Sequence, residues 1–174
     1  MNGRGFARAF GVAMAIAAPV LVSAPGAEAA VTTTIYLNPA GLPGYQAQLD
    51  QSIANWNAAV PNVKLVKRST GTITFRQVSG GGSYTNTNGH GRGTIVIDTV
   101  QAGQYSPTRI IAHEIGHNLG LPDHYTGPCS ELMSGHGPGT SCLNAKPDAR
   151  ESAQVKQNFI NGLTAAAQEF KTVS

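Results

Sequence analysis

His113 and His117 lie four residues apart. On a helix that spacing stacks two side chains one turn apart on a single face, where two imidazoles can grip one zinc ion. Glu114 follows the first histidine, close to such an ion but able to face a water instead of the metal. Gly120 is the residue type that ends a helix in left-handed backbone space at low steric cost. Asp123, three residues further on, can swing back under the ion as a third ligand. Three protein ligands and one open position suit a catalytic zinc, whereas a structural zinc is usually closed by four. The chemistry implied is metal-assisted hydrolysis. Zinc brings the pKa of its bound water to near neutrality and polarises a carbonyl, while Glu114 acts as general base and later hands the proton to the leaving amine.

The neighbouring residues are less specific. His124 competes with Asp123 for the third-ligand position, since histidine is the commoner zinc ligand. Tyr125 either aims its hydroxyl at a tetrahedral intermediate or packs beneath the site. His90 and His136 stand in glycine-rich sequence and read as surface histidines.

These groups need a scaffold. Val31 to Leu37 alternates apolar and polar residues, which predicts a strand with one buried face. Tyr45, Leu49, Ile53, Trp56 and Val60 recur at spacings of three and four. They predict an amphipathic helix from about Tyr45 to Ala59, with Trp56 as a core anchor and Pro61 as its stop. Short β-rich runs follow at Val63 to Lys67 and Thr72 to Val78. The stretch from Gly80 to Gly93 is polar and rich in glycine. Within it Ser83 to Thr87 fits either a surface loop or a short edge strand. In the second case Ser83, Tyr84 and Thr85 would bind an extended peptide by backbone pairing. Thr94 to Asp98 reads as a buried strand, and Ser106 with Pro107 as the N-cap and first position of the metal helix. Ile110, Ile111, Ile115 and Leu119 give that helix its buried side. Asp148 and Glu151 form the capping box of a last helix whose apolar positions are Val155, Phe159, Ile160 and Leu163. The tail from Leu163 to Ser174 is expected to lengthen it.

Arg4 and Arg8 precede an apolar run from about Phe10 to Val22, and Ala27-Glu28-Ala29 fits the small-x-small cleavage pattern. The run is too short for a membrane span. Residues 1–29 are therefore expected to be a secretory signal peptide, cut after Ala29 or Ala30, and residues 30–174 a single catalytic domain. The first strand begins almost at the cut, which leaves no room for an inhibitory pro-segment. The formal charge of +3 falls to +2 once Arg4, Arg8 and Glu28 are gone, too small and dispersed for a nucleic-acid footprint. Lys64, Lys67, Arg68 and Arg76 read as a solvated strand face. Cys129 and Cys142 are the only cysteines. In an oxidising compartment they are expected to form a disulfide rather than to bind metal. The expectation is an extracellular monomer without stable membrane association, acting on protein or peptide substrates.

The run His113-Glu114-Ile115-Gly116-His117-Asn118-Leu119-Gly120-Leu121-Pro122-Asp123-His124-Tyr125 resembles the snapalysins, small secreted bacterial neutral metalloproteases of the metzincin group. Gly127-Pro128-Cys129-Ser130-Glu131-Leu132-Met133-Ser134-Gly135 and Gly89-His90-Gly91-Arg92-Gly93 are similar to theirs as well. The resemblance extends over the mature chain to about Gly162. It implies an α/β (α+β) metzincin-like zinc protease. In that fold a twisted, mostly parallel sheet with an antiparallel edge strand and two helices lies above the cleft, and a C-terminal helix lies below. It further implies one zinc on His113, His117 and Asp123, and Met133 as the Met-turn residue beneath the metal. The family cleaves with a preference for aromatic residues just after the scissile bond. Many metzincins carry a Tyr two residues after the Met, where this chain has Gly135, so Tyr125 is the alternative transition-state donor. The family's calcium site would fall on Ser106 and Thr108, and the missing carboxylate leaves a poor hard-cation site there. Two other readings remain open: a secreted binding or toxin-like module with structural zinc, and a metal amidase acting on cell-wall fragments.

Overall fold

The computed structural model describes residues 32–164 and 170–173, together with Met1. The expected signal peptide and its cleavage site lie outside them. Six strands, β1 (Thr33–Asn38), β2 (Val63–Lys67), β3 (Ile73–Val78), β4 (Tyr84–Thr87), β5 (Gly93–Asp98) and β6 (Phe170–Val173), form one sheet in the order β2-β1-β3-β5-β4-β6. The β2, β1, β3 and β5 strands run parallel, and β4 is antiparallel to both of its neighbours. Four helices accompany the sheet: α1 (Gln46–Ala59), α2 (Thr99–Gln104), α3 (Pro107–Asn118) and α4 (Ala149–Asn158).

Parallel neighbours cannot be joined by a tight hairpin, and α1 supplies the crossover from β1 to β2. The alternation in β1 turns Thr33, Ile35 and Leu37 inward, as the period of two requires. They meet Leu65, Ile73, Phe75, Ile95 and Ile97 in one core with Leu49 and Trp56 of α1 and Ile111 and Ile115 of α3. Trp56 is buried, and its indole N–H donates to the Ala112 carbonyl at 2.9 Å. Ser52 Oγ reaches the Thr108 carbonyl at 3.1 Å. The α3 helix is thus fixed by hydrogen bonds as well as by packing. The α4 helix closes the lower end of α3, with Asn158 Nδ2 donating to the carbonyls of Leu119 at 2.9 Å and Gly120 at 3.3 Å. Cys129 and Cys142 are bonded, with Cα atoms 5.6 Å apart.

Two expectations need correction at the C-terminal end. The tail does not lengthen the last helix, because α4 stops at Asn158 and the chain returns as β6. Phe170, Thr172 and Val173 are aromatic or β-branched, the types that favour a pleated strand over a helix. Ile160 and Leu163 consequently fall outside the helix and are exposed, whereas Val155 and Phe159 are buried. In turn β4 is antiparallel as expected but is not the edge of the sheet. Its outer side pairs with β6 in the register Tyr84↔Val173 to Thr87↔Phe170, which satisfies backbone groups that an edge strand leaves open.

The α2 helix was not foreseen. It begins where Asp98, at the end of β5, accepts from Val100 N at 2.9 Å and from Gly80 N and Gly82 N at 2.7 and 3.0 Å. Burial pushes this carboxyl upward, but the N–H donors of Gly80, Val100 and Gly82 outweigh it and hold the group below its ordinary 3.8. Since the folded pKa is the lower one, the resulting stabilisation is complete above the unfolded value and disappears as pH falls through the folded value. Asp98→Ala is expected to lose about 3 kcal/mol of unfolding free energy at pH 7, measured by urea denaturation. The variant should also show a shallower loss of stability than the wild type as pH falls below 3.8.

Candidate metal centre

The α3 helix starts as its sequence dictates. Ser106 Oγ accepts from Arg109 N at 3.3 Å, and Pro107 takes the first position, where no N–H is needed. It ends in a Schellman turn. Leu121 N donates to Gly116 O and Gly120 N to His117 O, both at 3.0 Å, around Gly120 at φ +86°. That reversal carries Pro122 and Asp123 back across the helix.

His113, His117 and Asp123 converge as a result. The two Nε2 atoms are 3.1 Å apart, and Asp123 Oδ1 lies 3.1 Å from one and 3.3 Å from the other. His113 Nδ1 faces the Leu132 carbonyl at 3.2 Å and His117 Nδ1 the Leu121 carbonyl at 2.8 Å. A carbonyl only accepts, so each Nδ1 carries a proton and each ring turns Nε2 toward the other two groups. Both histidines are buried, and Asp123 Oδ1 is itself buried without a hydrogen-bond partner. Three atoms able to bind a cation therefore meet at one point. Tetrahedral ligands on a zinc ion sit about 3.3 Å from one another, so the observed spacing fits a bound cation. This is the one group of at least three His, Cys, Asp or Glu side chains, among the described residues, arranged to hold a metal.

The charges follow the same logic. Burial pushes the Asp123 carboxyl up, yet the adjoining His113 and His117 rings hold it well below the usual carboxylate range. Burial also works against a proton on His117, but Asp123, the charge of Glu114 and the Leu121 carbonyl draw it upward overall. Glu114 is fully buried beside the triad, and Thr85 Oγ1 donates to its Oε2 at 2.7 Å. Tyr125 is half-buried. Burial first, then the charge of Asp123, a hydrogen bond to it and the charge of Glu114 push its hydroxyl well above the ordinary value, so it remains a phenol. His124 takes no part: it is exposed and paired with Glu131.

Met133 lies in a single 3-10 turn, Leu132–Ser134, directly beneath α3. A Cβ on Gly116 would approach Met133 Sδ to 2.6 Å and the Trp56 ring to 3.3 Å, so a larger residue there would push the methionine side chain aside. Gly135 explains the departure from the usual Tyr two residues after the Met. A Cβ there would lie 2.9 Å from the Tyr125 ring and 3.2 Å from His113 Cε1, so Tyr125 already fills that space. A pocket opens beside Glu114 and His113, lined also by Tyr105, Ile110, Gly135 and His136.

The other expected positions are placed differently. Ser106 spends its hydroxyl on the helix cap, and Thr108 accepts from Ser52 through its carbonyl. No acidic residue joins them in a metal-binding group among the described residues. Ser83 and Thr85 are buried with their hydroxyls engaged inside the fold, Ser83 Oγ accepting from Asp98 N and Thr85 donating to Glu114. Their side chains do not face a bound peptide. His90 is half-buried rather than free on the surface: its ring stacks on Phe159 at 4.3 Å, and Nε2 contacts the Gly162 carbonyl at 2.8 Å. His136 is exposed at the rim, 4.9 Å from Tyr125.

Arg109 escaped the sequence reading. It is buried and donates to the carbonyls of Gly135, Asn144 and Glu131 at 3.0, 2.7 and 3.0 Å, and to Ser134 Oγ at 2.8 Å. It ties α3 to the far side of the Met-turn. Only its position one turn before His113 hinted at a role.

A mostly parallel sheet, a helix bearing His-Glu-x-x-His, an Asp brought back by a glycine turn and a methionine turn beneath are together an α/β fold built around one candidate metal centre. This chain belongs to the Streptomyces extracellular neutral proteinase (M7) family, whose profile matches residues 30–162. It is 46% identical over 143 residues to an extracellular small neutral protease of Streptomyces coelicolor, covering 82% of this chain and 66% of that protein. For the corresponding protein of Streptomyces sp. (strain C5) the figures are 49% over 144 residues, 82% and 62%. The chain thus spans a little under two thirds of these relatives. It covers 100% of the extracellular small neutral protease of Streptomyces caespitosus, at 48% identity over 134 residues and 75% of this chain. Among solved structures, high choriolytic enzyme 1, a hatching-enzyme zinc-protease of medaka (Oryzias latipes), matches at TM-score 0.36 and 21% identity. That match covers 59% of this chain and 50% of the other.

The metal-free protein is expected to bind one equivalent of Zn2+ and to melt at a higher temperature once loaded. His113→Ala, His117→Ala and Asp123→Ala should each weaken binding more than about 100-fold, whereas His124→Ala should not. Competition with a chromophoric chelator reads both.

Proposed function

We propose that this chain is a secreted zinc endopeptidase, with one zinc held by His113, His117 and Asp123 and with Glu114 as its general base. The observation that carries this reading is the meeting of the potential ligand atoms of His113, His117 and Asp123 beside the buried carboxylate of Glu114. Three protein ligands leave a position open, which speaks against a purely structural zinc. The names of the relatives, extracellular small neutral proteases, support both the activity and the export. The family profile begins at residue 30, just after the expected cut at Ala29, in keeping with a leader over residues 1–29 and a catalytic domain from residue 30.

When bound, zinc supplies Lewis acidity, bringing a water within reach of deprotonation near pH 7 and polarising the carbonyl of the bond to be cut. The protein does the rest. Glu114 takes a proton at its carboxylate and returns it to the departing amine. Thr85 fixes the orientation of that carboxylate through the 2.7 Å bond to Oε2. Tyr125, kept as a phenol, donates to negative charge as it develops on the carbonyl oxygen. The pocket lined by Tyr105, Ile110 and His136 receives the side chain after the scissile bond, and an aromatic ring suits its apolar wall. An extended substrate that pairs with β4 does so in the place of β6. Protein and peptide substrates are the partners, and the enzyme works as a monomer.

Glu114→Gln is expected to lower casein hydrolysis by about 10²- to 10⁴-fold while Zn2+ affinity is retained. A variant that binds zinc and stays fully active would show that another group is the base. Peptides with Tyr or Phe after the scissile bond should be cut, and cell-wall fragments should not. The opposite pattern would replace the endopeptidase reading with an amidase. Thr85→Val should reduce kcat by about tenfold with little change in KM, checked by steady-state kinetics on such a peptide.

A further inference from the structure

Glu151 does more than cap α4. Its carboxylate takes part in a capping box, with Asp148 N donating to Oε2 at 2.7 Å and Glu151 N donating to Asp148 Oδ1 at 2.7 Å. The same carboxylate also accepts from two amides of the Met-turn, Leu132 N at 3.1 Å on Oε2 and Met133 N at 2.7 Å on Oε1. Glu151 is buried, so these bonds form in a setting where water does little to screen them.

The second Met-turn bond touches a particular peptide unit. Met133 N and the Leu132 carbonyl belong to the same amide plane. At one end its N–H donates to Glu151, and at the other its oxygen accepts from His113 Nδ1 at 3.2 Å. An anion held on the N–H side of an amide drives electron density toward the oxygen, because hydrogen bonds in a chain polarise one another. A more negative oxygen binds the Nδ1 proton more strongly and makes Nε2 a better electron donor. Metal-ligating histidines commonly obtain this effect from a carboxylate placed directly on the second nitrogen. Here the peptide stands between the two. His117 has no such arrangement, because the Leu121 carbonyl that accepts its proton precedes Pro122 and its amide carries no N–H.

We infer that Glu151 is a positioning residue for the metal centre, strengthening and orienting His113 as a ligand through the Leu132–Met133 peptide. The inference rests on the reading of His113, His117 and Asp123 as the zinc ligands. It gives the first turn of α4 a task at the site, although none of its side chains reaches the ion.

The test compares the mature wild-type protein with Glu151→Gln and Asp148→Ala. Zn2+ affinity is measured by competition with a chromophoric chelator, and the melting temperature is measured without metal. Glu151→Gln should weaken Zn2+ binding by about 10- to 100-fold. Asp148→Ala breaks the cap but leaves the Met133 bond, so it should lower the melting temperature while affinity stays within about threefold. Equal affinity in wild type and Glu151→Gln overturns the inference. So does a loss of affinity that merely follows the loss of melting temperature in both variants. A wild-type protein that takes up no zinc overturns the metal site itself, a failure distinct from either. If Glu151→Gln does not fold, amide hydrogen exchange at Met133 in the wild type decides. Slow exchange upholds the contact with Glu151, and exchange at the rate of a free amide removes the relay.

Discussion

Three groups that each favour a cation are crowded against one another, and the lower half of this molecule is organised to hold them there. His113 Nε2, His117 Nε2 and Asp123 Oδ1 lie within 3.3 Å of each other, with the Nδ1 side of each ring turned away toward a carbonyl. Tyr125 takes up part of the Asp123 charge through a hydrogen bond, yet the crowding remains. What resists it is a set of rigid attachments: Trp56 and Ser52 on the back of α3, Arg109 and Met133 beneath it, and Asn158 at its end. The centre is prepared in advance for positive charge, which is how a protein avoids reorganising at the moment of binding or reaction.

The two layers contribute differently. The sheet sets the position of α3 through apolar packing, tolerant of small changes because many side chains share it. The Met-turn is set by directed bonds to a few buried charged groups, Arg109 on one side and Glu151 on the other. Such groups are expensive to bury and stay only where every donor and acceptor is matched. Arg109 makes four bonds through three nitrogens, and the Glu151 carboxylate accepts three amides. Both are matched in this sense, so the floor of the site has little freedom to drift.

Much of this was legible in the chain, and the reasons are physical. Periodicity exposed β1, α1 and α3, because burying one face forces a repeat of two or of three to four, while β5 showed as a continuous apolar, β-branched run. Ser106, Pro107 and Gly120 marked the ends of α3, because helix termini have few chemical solutions. Asp123 was favoured over His124 by its offset from the two histidines and by the family resemblance. What stayed hidden depends on contacts distant in sequence. That Arg109 reaches Gly135 and Asn144, or that Thr85 meets Glu114, follows from no local pattern. The Asp148–Glu151 box was visible because its partners are three residues apart, while the reach of Glu151 to Met133 was not. The β6 strand escaped for a related reason. Its residues carry a strand preference, but nothing nearby tells the chain which edge to join.

The triad also has a bearing on how the chain reaches its final form. All three ligand atoms come from the eleven residues between His113 and Asp123, a segment closed by one helix and one turn. Closing so short a loop costs little chain entropy, and helices form far faster than distant strands pair. An ion can therefore be gripped by a local hairpin of chain before the parallel sheet exists. The methionine floor depends on partners from α3 to α4 and must wait for the whole domain. The order in which these parts form separates a nascent metal trap from a finished cleft, and it makes the supply of metal a factor in how readily the domain folds.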